Sequence, residues 1–359
     1  MHQLVTCRAD TAVMHGRFKS LDGLRGVCAI TVVLHHCELL FAPGVIFCHG
    51  QLAVDVFFIL SGFVIAANYE DRFVKGLKPG RFMAARVRRL GPVYWAGLVL
   101  TLAAFLIAVG YQPSPDFGRA LALGGMAVFL IPYIGPGSLA YPANSVAWSL
   151  VWELIVNAVY AKWLYRLRSR SLTLITAVMW ALAIAESLVN PNGWSFGMTG
   201  TDIWFGGLRA FPGFLAGVLL FRAHKIGLLA RLPTVSPLLL VLVWPALAVI
   251  PQNGPTPLLD AGITILAGVP LVALLIRNSD PVPAWFAPIG AISYALYASH
   301  LALITLAQYT PVFGLNHHAN PLLATVVVLL AIGVAWLIHV LIEPAAATGA
   351  RIASPVVSR

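Results

Sequence analysis

Charged residues are scarce in this chain. They form 10% of its 359 residues, whereas apolar residues form 59% and the mean hydropathy is +0.85. A soluble domain has about 25% charged residues, so both a water-soluble globule and an intrinsically disordered chain are excluded. Cysteine is also rare: the four cysteines form no regular framework, which excludes a small disulfide-bonded scaffold.

Long apolar runs take the place of the missing polar surface. Each is about 20 residues long, the length that an α-helix needs to cross a bilayer. The runs fall at 24–42, 51–69, 91–110, 118–134, 146–164, 171–189, 203–221, 233–251, 258–276, 286–309 and 320–342. The chain is therefore predicted to be an all-α polytopic membrane protein.

The basic residues indicate how many of these runs cross the membrane. Lysine and arginine collect in cytoplasmic loops, and the segment 70–90 is rich in both. If 118–134 crossed completely, the basic clusters at 162–170 and 222–231 would lie outside. We therefore predict about ten transmembrane helices, with 118–134 as a re-entrant or interfacial segment and both termini cytoplasmic. The net charge of +10 then belongs to cytoplasmic loops, and no nucleic-acid partner is predicted.

The predicted membrane domain covers residues 21–344, between cytoplasmic tails at 1–20 and 345–359. Ionisable side chains inside spans cost at least about 2.5–3.5 kcal/mol on insertion scales, so they indicate function. Four of them lie at a similar depth in the outer half of the membrane if each helical residue rises 1.5 Å: His36, Glu153, Arg209 and His300. They either share one cavity or form separate structural pairs, such as Glu153 with Arg209.

Arginines cluster at the cytoplasmic side. Arg86, Arg88 and Arg89 directly precede the third apolar run, and Arg25 lies at the inner end of the first. Their charge either sets the orientation of the chain or forms an anion site, because guanidinium groups bind phosphate in a bidentate way.

Six short motifs occur in order along the chain. They are LDGLRG from Leu21, VDVFFILSGF from Val54, RVRRLGPVY from Arg86, WSLVWE from Trp148, SYALYASH from Ser293, and the pair Glu343-Pro344. Each motif alone is weak, but the ordered set resembles the acyltransferase-3 family of membrane acyltransferases.

This resemblance implies transfer of an acyl group, commonly acetyl, from cytosolic acyl-CoA to a hydroxyl of a carbohydrate or glycolipid. Acyl-CoA is then a co-substrate, with no permanently bound cofactor or metal, and a bacterial inner membrane is the expected location. The family's catalytic histidine maps to His36, and its conserved arginines map to Arg25, Arg86 and Arg89. Asn157 stands where many members have a tyrosine, which indicates a subgroup.

The chemistry of the transfer suggests roles for these residues. A hydroxyl must lose a proton, and an imidazole suits that task near neutral pH, so His36 is the expected base and Glu153 its orienting carboxylate. Arg25, Arg86, Arg88 and Arg89 are expected to bind the phosphates of acyl-CoA. Contacts to the acceptor or the oxyanion are expected from four residues: Ser61, Arg209, His300 and Asn157. The alternative is a transporter or flippase of a lipid-linked sugar, which also carries charges at mid-membrane.

Overall fold

Helices form almost all of the regular structure. The computed structural model describes residues 18–41, 47–111, 121–252, 254–310 and 321–352. Its helices are α1 (Lys19–Phe41), α2 (Ala53–Val74), α3 (Pro79–Tyr111), α4 (Gly124–Val128), α5 (Ala147–Lys162), α6 (Ser169–Val189), α7 (Gly207–Lys225), α8 (Pro237–Ala248), α9 (Pro257–Arg277), α10 (Phe286–Tyr309) and α11 (Pro321–Ile352). These ranges contain no strand, only one antiparallel bridge between Leu139 and Thr199.

Seven helices in the described part of the chain are long and apolar enough to cross a membrane: α2, α3, α6, α7, α9, α10 and α11. The all-helical membrane architecture predicted from the apolar runs is confirmed. The count of about ten spans and the cytoplasmic position of both termini stay predictions. Most of the predicted tails at 1–20 and 345–359 lies outside the described residues, although α11 continues to Ile352.

The segment predicted to insert only partly, 118–134, is described from residue 121 onward. Its helix α4 has five residues, about 7.5 Å at 1.5 Å per residue, which is far short of the roughly 30 Å of a hydrocarbon core. The end of α4 is held by α3, where Tyr94 Oη donates to the Ala127 carbonyl at 2.7 Å and Trp95 Nε1 donates to the Val128 carbonyl at 3.1 Å. Side chains of α3 therefore satisfy the last carbonyls of this short helix.

Helix α3 begins twelve residues before the apolar run that predicted it, at Pro79 rather than at residue 91. Proline is favoured in the first turn of a helix, where its missing N–H has no partner to lose, and arginine is a good helix former. The arginines directly before residue 91 therefore belong to the same helix as the apolar run. Arg86, Arg88 and Arg89 lie within α3, and Arg86 is buried in the helix bundle.

Helices α2 and α7 cross at very short range because each presents a glycine to the backbone of the other. A Cβ on Gly62 would lie 1.9 Å from the Phe214 carbonyl oxygen, and a Cβ on Gly217 would lie 2.0 Å from the Ile59 carbonyl oxygen. Small residues allow this approach in membrane helices, where dispersion contacts replace the hydrophobic effect. The contact brings Asp55 of α2 close to Arg209 of α7.

Helix α10 lies at the centre of a second group of helices and packs against α1, α3 and α11. Three polar side chains follow one another along it at intervals of three residues, Tyr294, Tyr297 and His300. Residues three apart are neighbours on a helix surface, so α10 carries a polar strip about 9 Å long. Its Tyr294 end lies toward Arg86 and its His300 end lies against His36 of α1.

Candidate active site

Two histidines from opposite ends of the chain meet inside the bundle. His36 lies on α1 and His300 on α10, and their ring centroids are 5.0 Å apart. Nε2 of His300 lies 3.3 Å from Nδ1 of His36. His300 is completely buried, whereas His36 is half-buried. Of the two, His36 is therefore the one that a substrate can reach.

The other hydrogen bonds of both rings go to backbone carbonyls of their own helices. Nδ1 of His36 lies 2.9 Å from the Val32 carbonyl oxygen. Nδ1 of His300 lies 3.1 Å from the carbonyl oxygen of Leu296 and 2.9 Å from that of Tyr297. These contacts fix the plane of each ring.

A second cluster is built around Glu153 of α5. Arg86 Nη2 donates to Glu153 Oε1 at 2.5 Å, and Ser61 Oγ donates to the same oxygen at 3.1 Å. Arg86 is buried and Glu153 is partly buried. The structure thus differs from the sequence-based expectation in two ways: Glu153 pairs with Arg86 instead of orienting His36, and Arg86 is held by a carboxylate instead of being open to phosphate.

The remaining cytoplasmic arginines are more accessible. Arg88 and Arg89 are exposed and Arg25 is half-buried. Arg25 lies 3.9 Å from the Asp22 carboxylate one turn earlier on α1, and it interacts electrostatically with Arg89, Glu153 and Arg86. Three of the four predicted phosphate-binding residues thus keep accessible surface.

Helix α10 links this cluster to the histidines. The Tyr294 hydroxyl donates to the Leu90 carbonyl at 2.9 Å and interacts electrostatically with Glu153 and Arg86. One turn further, Tyr297 Oη and Ser149 Oγ lie 2.8 Å apart. The Tyr297 ring centroid is 6.2 Å from that of His300. A continuous row of polar groups therefore runs from the arginine cluster to His36.

Arg209 belongs to a separate buried ion pair with Asp55. Its Nε donates to Asp55 Oδ1 at 3.0 Å and its Nη2 to Oδ2 at 2.8 Å, while Nη1 donates to the Phe196 carbonyl at 3.3 Å. Trp194 Nε1 donates to the same carboxylate at 3.2 Å, and the guanidinium lies 4.9 Å from the Trp148 ring centroid. The alternative pairing of Arg209 with Glu153 is not formed, and the Arg209 guanidinium, expected to contact the acceptor or the oxyanion, is occupied by Asp55.

Asn157 lies one turn after Glu153 on α5. It is completely buried, and neither its amide nitrogen nor its amide oxygen has a hydrogen-bond partner among the described residues. An unpaired buried amide is costly, so this position is poised to hydrogen-bond to a bound molecule or water.

Sequence reasoning missed two buried partners. It assigned no partner to Asp55, and it did not anticipate the pair formed by His49 Nδ1 and Asp260 Oδ1, 2.6 Å apart. A charged side chain without a partner inside an apolar helix is costly. This cost alone predicts that Asp55 and Asp260 each have a partner elsewhere in the chain. The described residues contain no group of three His, Cys, Asp or Glu side chains arranged to hold a metal ion.

The fold and the site define a polytopic helical membrane protein whose interior holds a histidine pair beside an arginine–glutamate cluster. The chain belongs to the acyltransferase-3 family, because the family model described as an acyltransferase domain matches residues 18–340. The resemblance predicted from the six motifs is therefore confirmed. Membership in this family identifies the chain as an acyltransferase.

Three curated proteins are similar to parts of the chain. Protein 2 in the picA locus of Rhizobium radiobacter is 40% identical over 178 residues, which are 45% of this chain and 90% of that protein. The exopolysaccharide production protein ExoZ of Rhizobium meliloti (strain 1021) is 31% identical over 141 residues, 39% of this chain and 42% of ExoZ. The peptidoglycan O-acetyltransferase OatA of Listeria monocytogenes is 33% identical over 97 residues, 26% of this chain and 14% of OatA. No solved structure matches the chain.

Proposed function

We propose that this protein transfers an acetyl group from cytosolic acyl-CoA to a hydroxyl of a carbohydrate or glycolipid, with His36 as the general base. The observation that carries the proposal is the half-buried imidazole of His36, hydrogen-bonded to a second histidine and joined by the polar strip of α10 to the arginine cluster. The names of two relatives, an exopolysaccharide production protein and a peptidoglycan O-acetyltransferase, support a polysaccharide acceptor.

The donor end of the proposed site is the arginine cluster. Arg88 and Arg89 are exposed and Arg25 is half-buried, so the phosphates of acyl-CoA can reach these three guanidinium groups from solvent. Arg86 is occupied by Glu153, and we assign it the role of holding that carboxylate at the entrance. The pantetheine arm then follows α10 from Tyr294 toward His36.

The proposed reaction begins with removal of the hydroxyl proton by Nε2 of His36. The hydroxyl oxygen bonds to the thioester carbonyl carbon as that proton leaves, and the tetrahedral intermediate then expels the CoA thiolate. The imidazolium returns its proton to the sulfur, so the products are an O-acetyl ester and free CoA. The histidine is neutral again at the end, and no other reactant is needed.

The acceptor end of the molecule carries a polar groove. The loop before α5 and the connection between α6 and α7 form it at the opposite end of the bundle from the arginines, with a volume of about 400 Å³. Its polar lining is Ser138, Asn190, Asn192, Thr199, Thr201 and Asp202. Hydroxyl, amide and carboxylate groups in this density suit the hydroxyls of a saccharide. Asn144, in the loop before α5, donates to the Ala298 carbonyl at 3.1 Å, which ties this loop to the turn of α10 that carries His300.

The proposed location is a bacterial inner membrane, with the arginine cluster in the cytoplasm, where acyl-CoA is found. A flippase of lipid-linked sugar would use the same polar groups without chemistry, but family membership favours acyl transfer. The two functions differ in the fate of a radiolabelled acetyl group.

The test is label transfer from acetyl-radiolabelled CoA into a carbohydrate or glycolipid fraction of native membranes. We expect wild-type membranes to transfer label and His36→Ala membranes to transfer none, with acyl-CoA binding nearly unchanged, because the base is lost while the arginines remain. The matched control is His35→Ala, which removes the neighbouring histidine whose ring faces the Phe47 carbonyl and is expected to retain transfer. Equal transfer by wild-type and His36→Ala protein would exclude His36 as the base.

A further inference from the structure

The protonation of the histidine pair follows from its hydrogen bonds. Nδ1 of His300 faces two carbonyl oxygens, at 3.1 and 2.9 Å, and a carbonyl oxygen can only accept a hydrogen bond. Nδ1 of His300 must therefore carry a proton. In a neutral imidazole the other nitrogen is then an acceptor, so Nε2 of His300 presents a lone pair to His36.

The same reasoning applies to His36. Its Nδ1 faces the Val32 carbonyl oxygen at 2.9 Å and the lone pair of His300 Nε2 at 3.3 Å. Both neighbours accept, so Nδ1 of His36 carries a proton that it shares between them. This leaves the lone pair of neutral His36 on Nε2, because the hydrogen-bond contacts of the ring within the described residues are made by Nδ1.

We infer that His300 is a positioning residue that holds His36 in the tautomer with a basic Nε2 and aims that nitrogen at the acceptor hydroxyl. The inference rests on the proposed function. His300 is 0% exposed, so it acts through His36 and does not touch substrate. In serine-protease triads a carboxylate sets the tautomer of the catalytic histidine; here a neutral imidazole does so.

Two carboxylates could have oriented His36: Glu38, two residues further along the chain, and Glu153, which the sequence suggested. Both have other partners. Glu153 accepts hydrogen bonds from Arg86 and Ser61, and Glu38 accepts one from the Phe47 backbone N–H at 2.5 Å. Within the described residues, the ring nitrogens of His36 contact one carbonyl and one imidazole. His300 is thus the side chain able to orient His36.

The orienting contact persists through the reaction. When Nε2 of His36 takes the hydroxyl proton, Nδ1 keeps its own proton and still donates to His300. When Nε2 returns a proton to the thiolate, both rings regain their starting state. His300 gains and loses no proton, which distinguishes it from a second base.

The test compares amide replacements of His300 that differ in reach. His300→Gln places a carbonyl oxygen where Nε2 lies and keeps an acceptor for His36, whereas His300→Asn keeps a donor for the helix carbonyls but is too short to reach His36. We expect His300→Asn and His300→Leu to lower kcat about 100-fold, within the range for proton-transfer catalysis, while the donor KM changes less than about twofold. We expect the kcat of His300→Gln to be at least about tenfold higher than that of His300→Asn.

The matched control is Ser299→Ala, which removes a buried hydroxyl bonded only within α10, to the Ala295 carbonyl, and is expected to retain wild-type kcat. If His300→Leu does not fold, the kcat values of His300→Gln and His300→Asn still test the inference. Equal kcat for Gln and Asn, or a loss confined to KM, would overturn the inference while transfer stays dependent on His36. Loss of His36 dependence itself would instead overturn the proposed function and the inference with it.

Discussion

At the scale of single residues, the ion pair of Asp55 and Arg209 is deeply buried and held by several hydrogen bonds. The carboxylate receives two guanidinium N–H groups and the Trp194 indole N–H, and the guanidinium also reaches the Phe196 carbonyl. Both side chains are almost completely buried. A pair of this kind stabilises one packing of α2 against α7, because each charge alone is costly in an apolar interior.

We predict that Arg209→Gln destabilises the protein by about 3–5 kcal/mol, since it leaves Asp55 uncompensated. The measurement is thermal unfolding of the purified protein in detergent. In the double variant Asp55→Asn with Arg209→Gln, the loss is expected to be smaller than in Arg209→Gln alone. Unchanged stability together with a raised acceptor KM would instead favour the sequence-based expectation that Arg209 contacts the acceptor.

The residues of the candidate site could be recognised from the sequence, but their partners could not. Histidines, glutamates and arginines inside apolar helices are visible as costly exceptions. Which of them meet depends on helix contacts between residues far apart in the chain: Asp55 and Arg209 are separated by 154 positions, and His36 and His300 by 264. Similar estimated depth made Glu153 one possible partner of Arg209, whereas the packing of α2 against α7 selects Asp55.

At the scale of helices, hydropathy located most spans, and its failures have a physical cause. The apolar run begins only at residue 91 because of the arginines before it, whereas α3 already begins at Pro79, since arginine lowers hydropathy without preventing helix formation. The segment 118–134 was apolar enough to suggest a span, but the glycines and prolines around it favour irregular structure, and α4 has only five residues.

The crossing of α2 and α7 yields a prediction for this scale. Gly62→Ala places a methyl group 1.9 Å from the Phe214 carbonyl oxygen, which forces the helices apart at a cost of at least about 1–3 kcal/mol. We expect a lower unfolding temperature and less folded protein in the membrane. The control is Gly333→Ala in α11, where a Cβ meets no atom within 4 Å and alanine is the better helix former. If both variants unfold alike, the close crossing does not limit stability.

At the scale of the whole molecule, the proposed donor and acceptor ends lie at opposite ends of the bundle. The arginines lie near the start of α3, where α2 and α5 also end, and the polar groove lies where α6 ends and α7 begins. An enzyme that joins a cytosolic donor to an acceptor on the other side needs such an arrangement. The histidine pair lies between the two ends.

We predict that the double variant Asn192→Ala with Thr201→Val raises the acceptor KM several-fold and leaves the donor KM unchanged, because both side chains are exposed in the groove and each hydrogen bond contributes about 0.5–1.5 kcal/mol. Steady-state kinetics with varied acceptor and fixed acyl-CoA provides the measurement. Thr173→Val, an equally exposed threonine at the opposite end on α6, is the control. An unchanged acceptor KM would place the acceptor elsewhere on the surface.

The polar strip of α10 has a mechanical consequence. Tyr294 contacts the arginine end and His300 contacts His36, and about 9 Å of one continuous helix joins them. Because α10 is one continuous helix, its two ends move together. Any sliding of α10 along its axis, or rotation about it, changes both the Tyr294 contact and the alignment of the histidine pair. A single helix therefore couples the proposed phosphate site to the proposed base.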